Sequence, residues 1–571
     1  MNKITLSLLA AACLAVAGCA PLAYDPGAPA ARGPVDINLV AMNDFHGHLE
    51  ASKFVFKSAR DPVEKTVSAG GIDNLAAALQ AFRQEDRELL FVGAGDLIGA
   101  SPAMSSMWAD EPSLAALGML GMDLSSVGNH EFDQGRVELL RKQKGGCAPA
   151  QIAPSQQTKA CKFDPAFKGA AFTYLAANVT DSTTGAPFMP AYAIRQVKGV
   201  KIAFIGAVLK DTASVVTASG IAGLAFGDEA DAINKAAGAA RQEGATAFVV
   251  LIHEGGDTPE AFDQAECSQL KGPIVGIARR LDPAIRLIVS GHTHKGFQCK
   301  VEGRTITQAQ MGGHVLTRIK LAVDASGAVQ DVAVRNVPVV AGQYPADPKV
   351  AGYLAAIKAR SSDALARPVA RVPSRSVTRK LNEAGESALG GLIADAAVEA
   401  TRADGAQVAF MNVGGMRADF DVGENLVATF GQAQVVLPFS NTLVVMDMTG
   451  AQLRGLLEQQ FARPNGDGHA AMLQVSSSLR YRWDAKRPAG AKVVPDSIRI
   501  NGAPLVDATT YRVVANNFLA EGADGFPMFA RATNKRDTGI VDLDAFIGLL
   551  VKRDKAGAAA AVTAARIERL N

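Results

Sequence analysis

The chain is 571 residues long, 48% apolar and almost neutral, with 58 Lys plus Arg against 56 Asp plus Glu. Such a length exceeds one compact core and points to two large domains. The charge balance gives no basic excess for binding a nucleic-acid polymer and no acidic excess for a solvating tail.

Residues 1–18, "MNKITLSLLAAACLAVAG", place Lys3 ahead of an apolar run too short to span a membrane, the layout of an export signal. The run ends in "VAGC", which resembles a bacterial lipoprotein signal, so cleavage is expected before Cys19, leaving that residue to carry lipid. Ala20 and Pro21 follow, with no aspartate of the kind that marks inner-membrane retention. The expected location is the cell envelope, anchored in the outer membrane and facing the periplasm; the membrane is then a partner through Cys19, and protein partners are left open. Residues 19–34, rich in Pro, Gly and Ala without apolar period, read as a tether.

From residue 35 to 340, short β-branched runs alternate with longer Ala-rich segments: "INLVAM", "LLFVGA", "KIAFIGAV", "TAFVVLI" and "IRLIVS" are the expected strands, and "GGIDNLAAALQAFRQED" is a typical intervening helix. The alternation predicts βαβ units around a largely parallel, buried sheet. Residues 341–367 hold one amphipathic helix flanked by prolines, expected over 349–366 as a connector. A second α/β pattern fills 368–571, with "ESALGGLIADAAVEATRA" as helix and "AQVAFMN" and "TLVVMDMTG" as strands.

Setting aside Cys13 and Cys19, four cysteines remain, and an even number in an exported chain suggests disulfides. Pairing of sequence neighbours, Cys147 with Cys161 and Cys267 with Cys299, is the expectation among three connectivities, each stapling a loop for about 3 kcal/mol. The absence of any Cys-x-x-Cys disfavours a cysteine zinc site.

The chemistry stands just past the strands. "NDFHGH" supplies Asp44 and His46, "GAGD" supplies Asp96, "GNHEFD" supplies Asn129, His130 and Asp133, "LIHEGGD" supplies His253, and "SGHTH" supplies His292 and His294. In open α/β sheets ligands bind at the carboxyl ends of strands. One histidine there is more often a loop or core residue than a ligand, but five such runs suggest convergence. Carboxylate, imidazole and amide donors suit borderline divalent ions. Two such ions can share one carboxylate and activate water for attack on phosphorus.

These motifs in this order, followed by "MNVGGMR", "PFSN" and "NNFLAEGADGF", resemble the 5′-nucleotidase family of calcineurin-like metallophosphoesterases from about Val35 onward. The resemblance implies an α/β fold: a four-layered αββα metallophosphoesterase domain (35–340), a linker helix (341–367) and a smaller α/β nucleotide-binding domain (368–571). It implies two divalent metal ions, with Zn, Mn, Co, Mg or Fe all compatible: one held by Asp44, His46 and His294, the other by Asn129, His253 and His292, with Asp96 bridging. His130 would be the catalytic histidine, oriented by Asp133, and Glu131 would be structural. Asn412 and Arg417 would grip phosphate or ribose, Phe439 and Phe518 would sandwich the base, and Asp524 would bind ribose. In the exported enterobacterial member a glutamine stands where this chain has His294. Two further departures are visible: Arg375 and Arg379 are offset from the family's additional phosphate-gripping arginine, and "GADGF" puts Ala523 where a glycine is usual.

The function so implied is removal of phosphate from nucleoside 5′-monophosphates at the envelope, for nucleoside salvage. UDP-sugar diphosphatase and 2′,3′-cyclic nucleotide phosphodiesterase with 3′-nucleotidase action share the same pocket. A non-catalytic nucleotide-binding surface lipoprotein is the reading of another class, and it would predict missing ligands.

Overall fold

The computed structural model describes residues 33–147, 159–462, 470–557 and 565–571. The signal segment, Cys19 and nearly all of the tether lie outside the described residues. Among the described residues no helix is long and apolar enough to cross a membrane.

Two six-stranded sheets form the first part. In one, Val35–Met42, Leu90–Ala94, Leu124–Ser126 and Thr173–Leu175 run parallel, and Val315–Val323 and Val329–Pro338 complete it antiparallel. In the other, Val200–Val208, Ala247–His253, Ile285–Val289 and Arg304–Ala309 are parallel, with Tyr192–Val197 and Gly296–Val301 as antiparallel edges. The five expected strands are all present, but in two mixed sheets rather than one largely parallel sheet. A continuous apolar run reports burial on both faces; it does not report which sheet the strand joins.

Ile37, Leu39, Phe204, Val249 and Leu287 pack between the sheets. Helices close the outer faces. Ile72–Glu85 follows Gly71, whose φ of 81° suits glycine, and buries Ile72, Leu75, Leu79 and Phe82 at helical spacing. Glu229–Gln242, capped by the Asp228 side chain on Asp231 N, buries Ala230, Ile233, Ala237 and Ala240 against the second sheet. At about 1.5–3 kcal/mol for each large apolar side chain, these stripes rather than helix propensity fix the layers. The result is the αββα sandwich.

The connector helix runs over Pro348–Ala366. Asp347 accepts hydrogen bonds from Lys349 N and Val350 N, Pro348 starts the first turn, and Val350, Leu354, Ile357 and Ser361 form the buried stripe. Beyond it, a five-stranded sheet orders Gln474–Val475, Val408–Met411, Thr510–Asn516, Thr442–Thr449 and Thr533–Val541. Here only Val408–Met411 and Thr510–Asn516 pair parallel. Cys147 is bonded to Cys161 and Cys267 to Cys299, the expected pairing.

Candidate metal centre

The residues just past the strand ends Met42, Ala94, Ser126 and Val289, together with His253 at the end of its own strand, come to one place. Ligand atoms of Asp44, His46, Asp96 and His294 lie within 4.8 Å of one another, as do those of Asp96, His253 and His292, so Asp96 belongs to both groups. Asn129 Oδ1 lies 3.1 Å from His292 Nδ1, beside the second group. Asp44, His46, Asp96 and His253 are at most 1% exposed.

The backbone bends sharply to make this possible. Asp44, His46, Asp96, His292 and His294 all have positive φ, between 45° and 75°. Such conformations cost on the order of 1–3 kcal/mol each and persist only where the surroundings hold them. Asp44 N donates to Gly95 O at 3.0 Å, His46 N to Asp96 O at 2.9 Å and Gly47 N to Leu97 O at 3.0 Å, which laces the two loops together. Gly128 allows the close approach: a Cβ there would collide with Asp96 Oδ1. Glu131 is the hub, accepting from Asp96 N and Leu97 N at 2.9 Å, Gly128 N at 2.6 Å and Tyr174 Oη at 3.1 Å. Burial and the neighbouring Asp96 charge push its carboxyl up to about 7.

The donor chemistry fits a cation. His253 Nδ1 lies 2.8 Å from Ala94 O and His46 Nδ1 2.9 Å from Gly99 O. A carbonyl can only accept, so each proton sits on Nδ1 and each Nε2 faces the cluster. His46 Nε2 then meets His294 Nε2 at 3.1 Å, and His253 Nε2, buried and without a well-directed hydrogen bond, lies 2.9 Å from Asp96 Oδ2. Burial opposes charge on His253, yet the Asp96 and Asp44 carboxylates outweigh it and hold its pKa at about 10. Burial pushes His46 and His292 the other way, so positive charge in the cluster gathers on His253, beside Asp96.

Above this floor, His130 Nδ1 lies 2.8 Å from Asp133 Oδ2, and its backbone N donates to Asp96 Oδ1 at 2.9 Å. Burial lowers the imidazole pKa, but Asp133 and Asp96 carry it above its ordinary value. A cavity of about 250 Å³ opens here, lined on one side by Asn129, His130, Asp133 and His292 and on the other by Asn412, Arg417, Phe439, Phe518 and Asp524.

Residues 37–296 match the calcineurin-like phosphoesterase family, and residues 362–531 match the 5′-nucleotidase C-terminal domain. The cell wall protein Lmo0130 of Listeria monocytogenes is 30% identical, with 93% of this chain covering 69% of that protein. The chain belongs to the 5′-nucleotidase family of calcineurin-like phosphoesterases. Endonuclease YhcR of Bacillus subtilis is also 30% identical over 90% of this chain, which spans only 39% of that protein's length. A crystal structure of a 5′-nucleotidase precursor from Thermus thermophilus superposes with a TM-score of 0.72 at 27% identity, covering 94% of this chain and all of that one. The protein is therefore a metal-dependent phosphoester hydrolase, and its fold implies divalent metals.

The residues of the second domain form the opposite wall of the cavity. Phe439 stacks on His130 with ring centroids 5.6 Å apart and planes 22° apart, and the Arg417 guanidinium lies 5.9 Å over the Phe439 ring. Burial and neighbouring Arg379 lower the Arg417 pKa, while Asp96, Asp133 and Asp44 pull the other way, so this cation faces the ligand carboxylates. Arg379 comes beside Arg417, donating to Met416 O at 2.7 Å, but it is not among the residues that line the cavity. Arg375 pairs with Glu424 at 3.3 Å on the surface. Asn412 Nδ2 donates to Asp524 Oδ2 at 3.0 Å, and Asn516 Nδ2 to Asn412 Oδ1 at 3.2 Å. Ala523 causes no strain, because the left-handed positions of that turn fall on Gly522, Asp524 and Gly525. Sequence reasoning missed Gln134, Val216 and Thr217 in the cavity lining. Gln134 could have been found one place past Asp133; Val216 and Thr217 carry no local signal.

Proposed function

We propose that the chain removes phosphate from nucleoside 5′-monophosphates at the cell envelope, for nucleoside salvage, held there by lipid on Cys19. One cavity shared by His130, Asp133, Asn129 and His292 with Phe439, Phe518, Asn412 and Asp524 is the observation that carries this reading. Residues 35–340 form the hydrolytic domain, 341–367 the linker helix and 368–571 the nucleotide-binding domain. Asp44, His46 and His294 would hold one divalent ion and Asn129, His253 and His292 the other, with Asp96 available to both. Bound there, such ions neutralise phosphate charge and lower the pKa of water.

The chain's own residues do the rest. His130, oriented by Asp133, donates from Nε2 to a phosphoryl or leaving oxygen. Arg417 grips the phosphate from the opposite wall. Phe518 and the Phe439 face away from His130 stack on the base, and Asp524, steadied by Asn412, accepts from the ribose.

Phosphate release from AMP by the protein starting after Cys19 tests this, first with chelator, then with each divalent metal restored, beside Asp96→Asn. Restored activity that the variant lacks is the expected result. Metal-restored release from a UDP-sugar or a 2′,3′-cyclic nucleotide, with AMP untouched, would replace the monophosphate reading.

A further inference from the structure

Phe439 and His130 come from different α/β parts, yet their rings stack, so something must hold the turn that carries Phe439. The next residue, Ser440, has a φ of 58°. A serine in the left-handed region is unfavourable by about 1–3 kcal/mol unless its neighbours fix it. Lys159 Nζ donates to Ser440 Oγ at 3.0 Å, and Gln134 Nε2 lies 3.4 Å from Phe439 O.

Lys159 belongs to a segment whose residues 159–168 are rooted in three places. Cys161 is bonded to Cys147, just past the helix Gly135–Lys144 that leads out of the His130 motif. Cys161 N donates to both Glu111 carboxylate oxygens at 3.0 Å. From the linker helix, Arg360 donates to Phe163 O at 2.5 Å and Lys162 O at 2.8 Å, with its guanidinium 5.2 Å over the Trp108 ring and 4.6 Å over the Phe163 ring. The segment is therefore a stiff base from which one ammonium reaches across to the substrate wall.

We propose that Lys159 is a positioning residue for phosphoester hydrolysis, holding the turn of Phe439 and Ser440 so that the Phe439 ring keeps its place between His130 and the nucleotide cavity. The inference rests on the nucleotide reading only for which substrate senses the turn. An ester with a base should feel its loss, and one without should not, because His130 keeps its own bond to Asp133.

The test uses the metal-loaded protein and compares AMP with ribose 5-phosphate. Losing one charge-assisted hydrogen bond in Lys159→Ala should raise KM for AMP about 5- to 20-fold, with kcat on both esters within about threefold of wild type. Lys159→Arg, which can still donate, should restore KM. Equal losses on both esters, an unchanged KM for AMP, or no rescue by arginine overturns the proposal. Amide hydrogen exchange over residues 437–441 tests the same turn without substrate: faster exchange in Lys159→Ala, restored in Lys159→Arg, supports the proposal, and unchanged exchange overturns it. Wild type that hydrolyses ribose 5-phosphate but not AMP defeats the nucleotide reading alone, and the exchange data then decide on Lys159.

Discussion

The floor of the site and its substrate wall are built on opposite plans. Asp44, His46, Asp96 and His253 are at most 1% exposed, and the loops that carry them are bonded to one another and to the Glu131 hub. Phe439, Phe518 and Asp524 are half-buried, and Asp524 leans on Asn412 through one side-chain contact. The floor holds five strained residues in place by many small constraints; the wall rests on a few. On the proposed reading, chemistry would be fixed by rigid strand ends and substrate choice left to a turn and two rings that single changes can retune.

The floor should break hardest. Asp96→Asn removes the charge of the carboxylate that both ligand groups share, and activity on any phosphoester should fall about 10³-fold or more, with metal lost in the same sample by elemental analysis. His130→Ala sits between the two plans. It touches the wall through Phe439 but no ligand group includes it, so kcat should fall about 10²–10⁴-fold while metal content stays at the wild-type level. Metal loss in that variant would move His130 into the floor.

The same division decides what could be read from sequence. Floor residues stand immediately after buried strands, where β-branched runs give way to Asp, Asn and His, so Asp44, Asp96, Asn129, His253 and His292 were legible by position alone. Two mixed sheets were not legible from the strand pattern, only from the family resemblance, since burial on both faces looks alike in either sheet. Glu131 was legible as structural but not as the hub, because its partners are backbone N–H groups that every residue carries. Behind the wall, Arg379 reaches the backbone beside Arg417 through a fold of the chain between them that no local pattern announces. Lys159 stands in a Lys- and Gln-rich stretch where nothing marks one cation from another.

A smaller effect is expected from the wall's own ring. Phe518→Ala should raise KM for AMP by about 5- to 50-fold, the range for losing one base–aromatic stack, and leave hydrolysis of ribose 5-phosphate unchanged. Equal loss on both substrates would show that Phe518 supports the floor, and the contrast between the two regions would fail there.

The smallest effect lies behind the wall and is read in stability. Asp542 starts the helix Asp542–Lys555, its N donates to Asn441 O at 2.8 Å in the substrate turn, and its Oδ1 accepts from Leu543 N at 2.8 Å. Burial, with Asp544 adding to it, pushes this carboxyl up to about 7. The sign is the reverse of a salt-bridged aspartate. Between about pH 4 and 7 the folded state keeps a proton that the unfolded chain has released, so stability from this group falls as pH rises through that window. Asp542→Asn keeps an oxygen for Leu543 N and removes the buried charge. Its melting temperature should exceed wild type by a few degrees at pH 8, about what 1–2 kcal/mol gives in a chain of this size, and the gap should close by pH 4. A gap that persists at pH 4 would trace the gain to packing rather than to the ionised carboxylate.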